Sequence, residues 1–142
     1  MHTFELHERL AADCFFVGDL PLCRLLMMND SRYPWYILVP RRAELKEIYQ
    51  LAVEDQQQLI RESCLLAQAM QTLYQPDKLN IAAIGNLVPQ LHLHHVARYQ
   101  TDAAWPAPVW GKLAALPYAP VQAQAEIQRI SRQLNNYIQS LD

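Results

Sequence analysis

The chain has 142 residues, with 12 Lys and Arg against 14 Asp and Glu for a formal charge of -2, and 51% of its residues are hydrophobic while 18% are charged. That length and balance describe one globular domain and exclude a disordered chain or a basic nucleic-acid surface, so an anionic ligand must be held by a few placed groups. Cys14, Cys23 and Cys64 are odd in number and lack metal-type spacing, the opening MHTFELHERL lacks the apolar core of a secretion signal, and no window approaches a membrane span, so the expectation is a cytoplasmic protein with reduced thiols.

The first elements read as a meander of three short strands. Apolar runs at Cys14 to Val17, Leu22 to Met28 and Tyr36 to Val39 are separated by GDLP and NDSRYP, clusters of turn-forming residues. From Asp55 the period changes. Leu59, Ser63, Leu66, Met70 and Leu73 recur at helical steps, with Ile60, Ala67 and Tyr74 alongside, and the spacing predicts one long helix. Asp55 with Gln58 fits a capping box at its start, and Pro76 in QPD ends it, because proline disfavours helical geometry in the residue before it.

Leu79 to Ile84 and Leu91 to Tyr99 then read as two further strands joined by the turn GNLVP, which makes the body α+β. The proline-rich stretch from Trp105 to Pro120 separates this body from a tail. There Ile127, Ile130, Leu134, Tyr137, Ile138 and Leu141 keep helical spacing after Pro120, which suits a first-turn position. A second amphipathic helix is expected, docked on the body or on a partner subunit.

Three of the five histidines fall in QLHLHHVAR, residues 90–98. Side chains alternate along a strand, so Gln90, His92, His94 and Val96 share one face while His95 points the other way, and His92 and His94 would stand about 7 Å apart. Two imidazoles at that spacing suit one phosphate, with one attacking phosphorus and the other binding or protonating an oxygen. A zinc site is the rival, since H-x-H can supply two ligands, but the further ligands have no obvious Cys or acidic candidate. His95, His2 and His7 have the blander reading of hydrogen-bonded or surface histidines.

The stretch Gln90-Leu-His92-Leu-His94-His95-Val96 resembles the H-φ-H-φ-H-φ-φ motif (φ apolar) of the histidine triad superfamily, whose members are nucleotide hydrolases and transferases. The run ending MND, the ILVPRR before the long helix, the VPQLH after a Gly-Asn turn and the later WPAPVWG are also similar to segments of a bacterial branch of that superfamily, over roughly residues 10–112. The resemblance implies an antiparallel sheet of about five strands with one long helix packed on it, and a nucleotide-binding domain over 1–118. Residues 119–142 would form a C-terminal helical extension of that domain.

It also implies roles. His92 corresponds to the nucleophile that takes the nucleoside monophosphate as a phosphoramidate, and His94 to the neighbour that binds a phosphate oxygen. Asn86 corresponds to the asparagine that helps hold phosphate or leaving group, and Asn29 to the residue that binds the ribose hydroxyls. Leu25 and Met27 would flank the base, and Trp105, with Trp110, would approach the nucleotide; the alternatives are core and a packed loop. Arg98 shares the strand face of His92 and could meet a distal phosphate, with a surface arginine as the alternative. No metal or cofactor is implied, and the partners are an AMP-like nucleotide or dinucleoside polyphosphate and a second copy of the chain.

The chain departs from the motif at two positions. The first triad position is Gln90, and the place of a further histidine before the third strand is taken by Trp35. A glutamine keeps the backbone carbonyl that orients the nucleophile's other ring nitrogen, but it removes an imidazole from proton handling near the leaving group. The expectation is therefore a hydrolase or transferase at the α-phosphorus, with a catalytically slow nucleotide-binding sensor or scaffold as the alternative.

Overall fold

The computed structural model describes residues 3–139. A short helix α1 (Glu8–Asp13) leads into β1 (Cys14–Asp19), β2 (Cys23–Met28) and β3 (Trp35–Pro40); the long helix α2 (Val53–Tyr74) follows, then β4 (Lys78–Ala82), β5 (Leu93–Arg98) and α3 (Pro120–Gln133). The strands form one antiparallel sheet in the order β1-β2-β3-β5-β4. This is the α+β architecture that the sequence predicts, with five strands, one long helix and a C-terminal helix on the body.

Both faces of the sheet are covered, and residue parity divides them. Leu25, Met27, Tyr36, Leu38, Leu93 and Ala97 join Leu59, Leu66 and Met70 of α2 and Ile130 of α3 in one core cluster. Leu26, Trp35, Ile37, Val39 and Val96 face the other way, into a second cluster closed by Leu10 of α1 and Val88, Ala104 and Val109 of the loops. A strand flanked on both faces needs no polar alternation, which is why β3 (WYILVP) and β5 (LHHVAR) are buried at every position. Each fully buried leucine, such as Leu25, Leu38 or Leu59, contributes about 2 kcal/mol from apolar burial alone.

The long helix departs from its predicted start. It begins at Val53, with Ala52 at the N-cap and no side-chain cap, so the expected capping box at Asp55 and Gln58 does not form. Asp55 lies in the first turn and pairs with Arg42, at 2.7 Å from its Nε, where a carboxylate also favours the helix N-terminus. Gln58 donates instead to Glu62, whose buried carboxylate accepts the backbone N–H groups of Leu22 and Cys23 and ties α2 to the β1–β2 turn. The other end agrees with expectation: the helix stops at Tyr74, with Gln75 before Pro76 in the left-handed region.

The tail helix has Pro120 in its first turn and docks on the body through Ala123, Ile130 and Leu134. It ends sooner than the apolar spacing suggests. After Leu134 the chain turns so that Gln139 N–H reaches the Asp19 carbonyl and Ile138 packs on Gly18, where a Cβ would lie 2.8 Å from the Ile138 side chain. Leu141 lies outside the described residues.

Candidate functional site

The sheet face opposite α2 holds a cleft of about 390 Å³, between α1, the turn after β4 and the loop 104–116. That size suits a small organic ligand, and the walls are mostly apolar, from Leu10, Met28, Trp35, Val88, Val109 and Trp110. His92 and His94 lie on its floor, and Asn86 lies at its exposed edge. His92 stands one residue before β5, yet it keeps the parity of the strand; the two rings are 4.8 Å apart at 68°. His94 is also flanked by Trp35 at 5.8 Å and Trp110 at 5.3 Å.

Neighbours assign the proton on each ring. The Nδ1 of His92 is 2.7 Å from the Gln90 carbonyl, which can only accept, so His92 carries its proton on Nδ1 and presents a lone pair at Nε2. His94 is the reverse: the Trp35 indole Nε1–H donates to its Nδ1 at 3.0 Å, leaving the proton on Nε2. His95 faces α2, with Nδ1 on the Leu93 carbonyl at 3.1 Å and Nε2 at 2.7 Å from the Ser63 hydroxyl.

Burial disfavours the charged form of all three rings. It lowers His92, against the raising effect of the Gln90 carbonyl and with a further lowering from His7. Burial, then the proximity of His92 and His95, pushes His94 down to about 3, and burial pushes His95 down to about 4 in spite of its bond to Leu93. One floor of the cleft thus offers a nucleophilic nitrogen beside an N–H donor, a combination suited to attack on a tetrahedral anionic centre. Among the described residues, no group of three or more His, Cys, Asp and Glu gathers as metal ligands.

Several expected site residues lie elsewhere. Leu25 and Met27 point into the helix-side core; Leu26 and Met28 occupy the other face, and it is Met28 that lines the cleft. Because β2 is buried on both faces, its sequence carries no alternation to indicate parity, and a slip of one residue exchanges the faces. The same slip affects its end. Asn29 is outside the cleft with its Oδ1 accepting from Tyr118 N–H, whereas the buried Asp30 lines the cleft and accepts from the N–H groups of Arg32 and Leu116.

Arg98 is neither a surface residue nor free for a phosphate. Its guanidinium is 2% exposed and is used up by both oxygens of Asp102, the Asn80 amide oxygen and the Ala107 carbonyl. Burial alone would raise the Asp102 carboxyl, but Arg98 and the backbone N–H groups of Tyr99, Ala104 and Trp105 outweigh it and hold the group at about 2. Trp105 covers that ion pair, with the Arg98 guanidinium 5.6 Å from its ring, and stays out of the cleft; Trp110 is the tryptophan that reaches His94. Gln90 orients His92 through its carbonyl, while its side chain binds the N-terminal segment: Oε1 accepts from His7 N–H and Nε2 donates to the Glu5 carbonyl, both at 2.8 Å.

The sequence does not mark Met28, Asp30 and Trp110 as lining the cleft, nor Trp35 as touching the pair. Met28 and Asp30 flank Asn29 and Trp110 belongs to WPAPVWG, so the segments are legible in the sequence and their parity is not.

Comparison with known proteins gives the family. A family model described as the HIT domain matches residues 9–101. The chain is similar to a histidine triad protein from Marinobacter aquaeolei VT8, at 49% identity and a TM-score of 0.93 over 96% of this chain and 99% of that one. It is similar to a second histidine triad protein from Bradyrhizobium japonicum, at 45% identity and a TM-score of 0.91 over 93% and 98%. A hypothetical histidine triad nucleotide-binding protein from Sulfolobus tokodaii shares the fold at 16% identity, with a TM-score of 0.65 over 87% and 85%. No curated protein matches the chain. No helix among the described residues is long and apolar enough to cross a membrane. The sheet, the His92–His94 pair at the start of its last strand in chain order, the family match and the two close relatives agree: the chain belongs to the histidine triad family.

Proposed function

We propose that the chain is a nucleotide hydrolase or nucleotidyl transferase that acts at the α-phosphorus of a nucleoside phosphate through a nucleotidyl-histidine intermediate. The observation that carries this reading is the opposed protonation of the pair: His92 is held by the Gln90 carbonyl with Nε2 free to attack, and His94 is held by Trp35 with Nε2–H free to donate. In this reading His92 attacks phosphorus while His94 stabilises a non-bridging oxygen, and water later releases the monophosphate from His92. The apolar wall at Leu10, Met28 and Val109 supports a planar base, Asp30 a ribose hydroxyl, and Asn86 a phosphate or leaving group at the edge. A cytoplasmic homodimer acting on an AMP-like or dinucleoside polyphosphate substrate completes the reading.

The engagement of the Gln90 side chain with residues 5–7, away from proton transfer, favours the slow binder or sensor as the second reading. One experiment separates the two. Wild-type chain and His92→Ala are incubated with a dinucleoside polyphosphate and with an adenosine phosphoramidate, and product and acid-labile nucleotidyl adduct are measured. The enzyme reading expects an adduct in wild type with at least one substrate, and a loss of about a thousandfold or more in the variant. Nucleotide binding without adduct in wild type leaves the sensor.

A further inference from the structure

A leaving group on phosphorus needs a proton when its departing atom is strongly basic, as in an amine or alkoxide, and none when it departs as a stable anion. The surroundings of the pair decide whether the protein can supply one. Trp35 is buried and its indole is a donor only, so at 3.0 Å it obliges His94 Nδ1 to accept. A second proton on His94 would set N–H against N–H between the rings of Trp35 and Trp110. The one proton of His92 is committed to the Gln90 carbonyl at 2.7 Å. Gln90 itself is an amide, and both ends of its side chain are engaged with the backbone of residues 5–7.

The other polar side chains of the cleft offer no substitute. Arg9 and Asp13 face each other at 3.7 Å, Asp30 accepts two backbone N–H groups, and Asn86 is an amide. Lys46 and Glu47 line an adjoining recess that shares Ile84, Gly85 and His92 with the cleft, and His7 lines a third, which His92 does not line. Among the described residues, no imidazole or thiol besides the pair lines the cleft; His2 lies outside them.

Resting on the nucleotidyl-histidine reading above, we infer that Trp35 is a positioning residue that holds His94 as a neutral N–H donor, and that the site therefore acts on nucleotidyl compounds whose leaving group departs as a stable anion. Mixed anhydrides and esters of acidic phenols belong to that class; amidates and alkyl esters do not. In the first step His92 Nε2 forms the N–P bond as the bond from phosphorus to the leaving group breaks. The leaving group takes the bonding pair and no proton, and the proton of His92 stays on Nδ1, donated in the hydrogen bond to the Gln90 carbonyl. In the second step water attacks phosphorus, the N–P pair returns to Nε2, and the proton lost by water passes to solvent.

The test uses wild-type chain with AMP aryl esters of graded phenol acidity, a dinucleoside polyphosphate and an AMP amidate, with the acid-labile adduct quantified and the ¹⁵N shifts of His94 recorded. The expected rate of adduct formation falls about tenfold for each unit of leaving-group pKa, and the amidate lies about a thousandfold below the most acidic ester. The ¹⁵N shifts should show a bare Nδ1 and a protonated Nε2 from about pH 5 to about pH 8. Trp35→Phe, which keeps an aromatic ring, should mix the two tautomers and make the leaving-group dependence shallower. Equal adduct rates for amidate and esters overturn the leaving-group restriction while sparing the nucleotidyl-histidine reading. A proton on Nδ1 of His94, or a Trp35→Phe variant with tautomer and dependence unchanged, overturns the part assigned to Trp35. No adduct from any compound overturns the reading and the inference together.

Discussion

His92 and His95 begin from the same local device. Each directs Nδ1 to the carbonyl two residues earlier, Gln90 at 2.7 Å and Leu93 at 3.1 Å, and each is therefore fixed with its proton on Nδ1. They differ in what meets the other nitrogen. On the helix side, Nε2 of His95 takes the Ser63 hydroxyl in a closed core; on the cleft side, Nε2 of His92 meets open space beside a second donor. Orientation alone therefore does not set the two rings apart. The face of the sheet decides whether an oriented lone pair is spent on the fold or turned to the cleft.

That contrast can be broken in order of expected effect. His95→Ala removes a buried ring and leaves the Ser63 hydroxyl without its partner, so the expected loss is about 2–4 kcal/mol in urea unfolding, with nucleotidyl-adduct formation retained at a temperature where the variant is folded. An adduct lost together with His95 would mean that the two faces are not independent.

Acid tests the neutrality that both faces share. In the unfolded chain the imidazoles take up protons below about pH 6.5, whereas in the folded chain His94 and His95 stay neutral down to about 3 and 4. Acid therefore favours unfolding, with a cost that appears as pH falls below about 6.5 and grows toward 4. It is on the order of 2 kcal/mol for each of these two rings at pH 5. Asp102, held at about 2, has the same sign of linkage in a lower window: its stabilisation is fully present above its unfolded value and is lost only as pH falls below about 4 toward 2. Unfolding midpoints in urea at pH 7 and pH 5 check this, and His95→Ala should recover its own share of the difference.

Gln90→Ala sharpens the comparison at lowest cost. It removes two hydrogen bonds to the N-terminal segment and keeps the backbone carbonyl that orients His92, so a stability loss of about 1 kcal/mol is expected, with adduct formation within a few fold of wild type. A collapse of adduct formation would assign the Gln90 side chain a part in the chemistry.

Much of this was legible along the chain because it depends on local period. The 3.6-residue spacing from Leu59 to Leu73, the stop at Pro76 and the first-turn Pro120 all reappear in the fold. The alternation in QLHLHHVAR separates His95 from the pair, as the strand has it. What failed had no local signal. Parity in β2 is not encoded locally because CRLLMM is apolar toward both faces after Arg24, and the helix starts before Asp55 because that acidic first turn pairs with Arg42 and does not cap.

Arg98 is the sharpest case of that limit. Its neighbours in sequence make it a plausible phosphate ligand, and only the return of the 102–107 loop, which brings Asp102 and the Ala107 carbonyl, consumes its charge. The sequence by itself determined the elements, the family motif and the sharing of one face by His92 and His94, because these follow from periods of two and 3.6 residues. The tertiary structure alone decided which nitrogen of each ring is free, that Trp35 is the partner of His94 and that Arg98 is spent on a loop, because a hydrogen bond between residues 59 positions apart leaves no trace in local spacing.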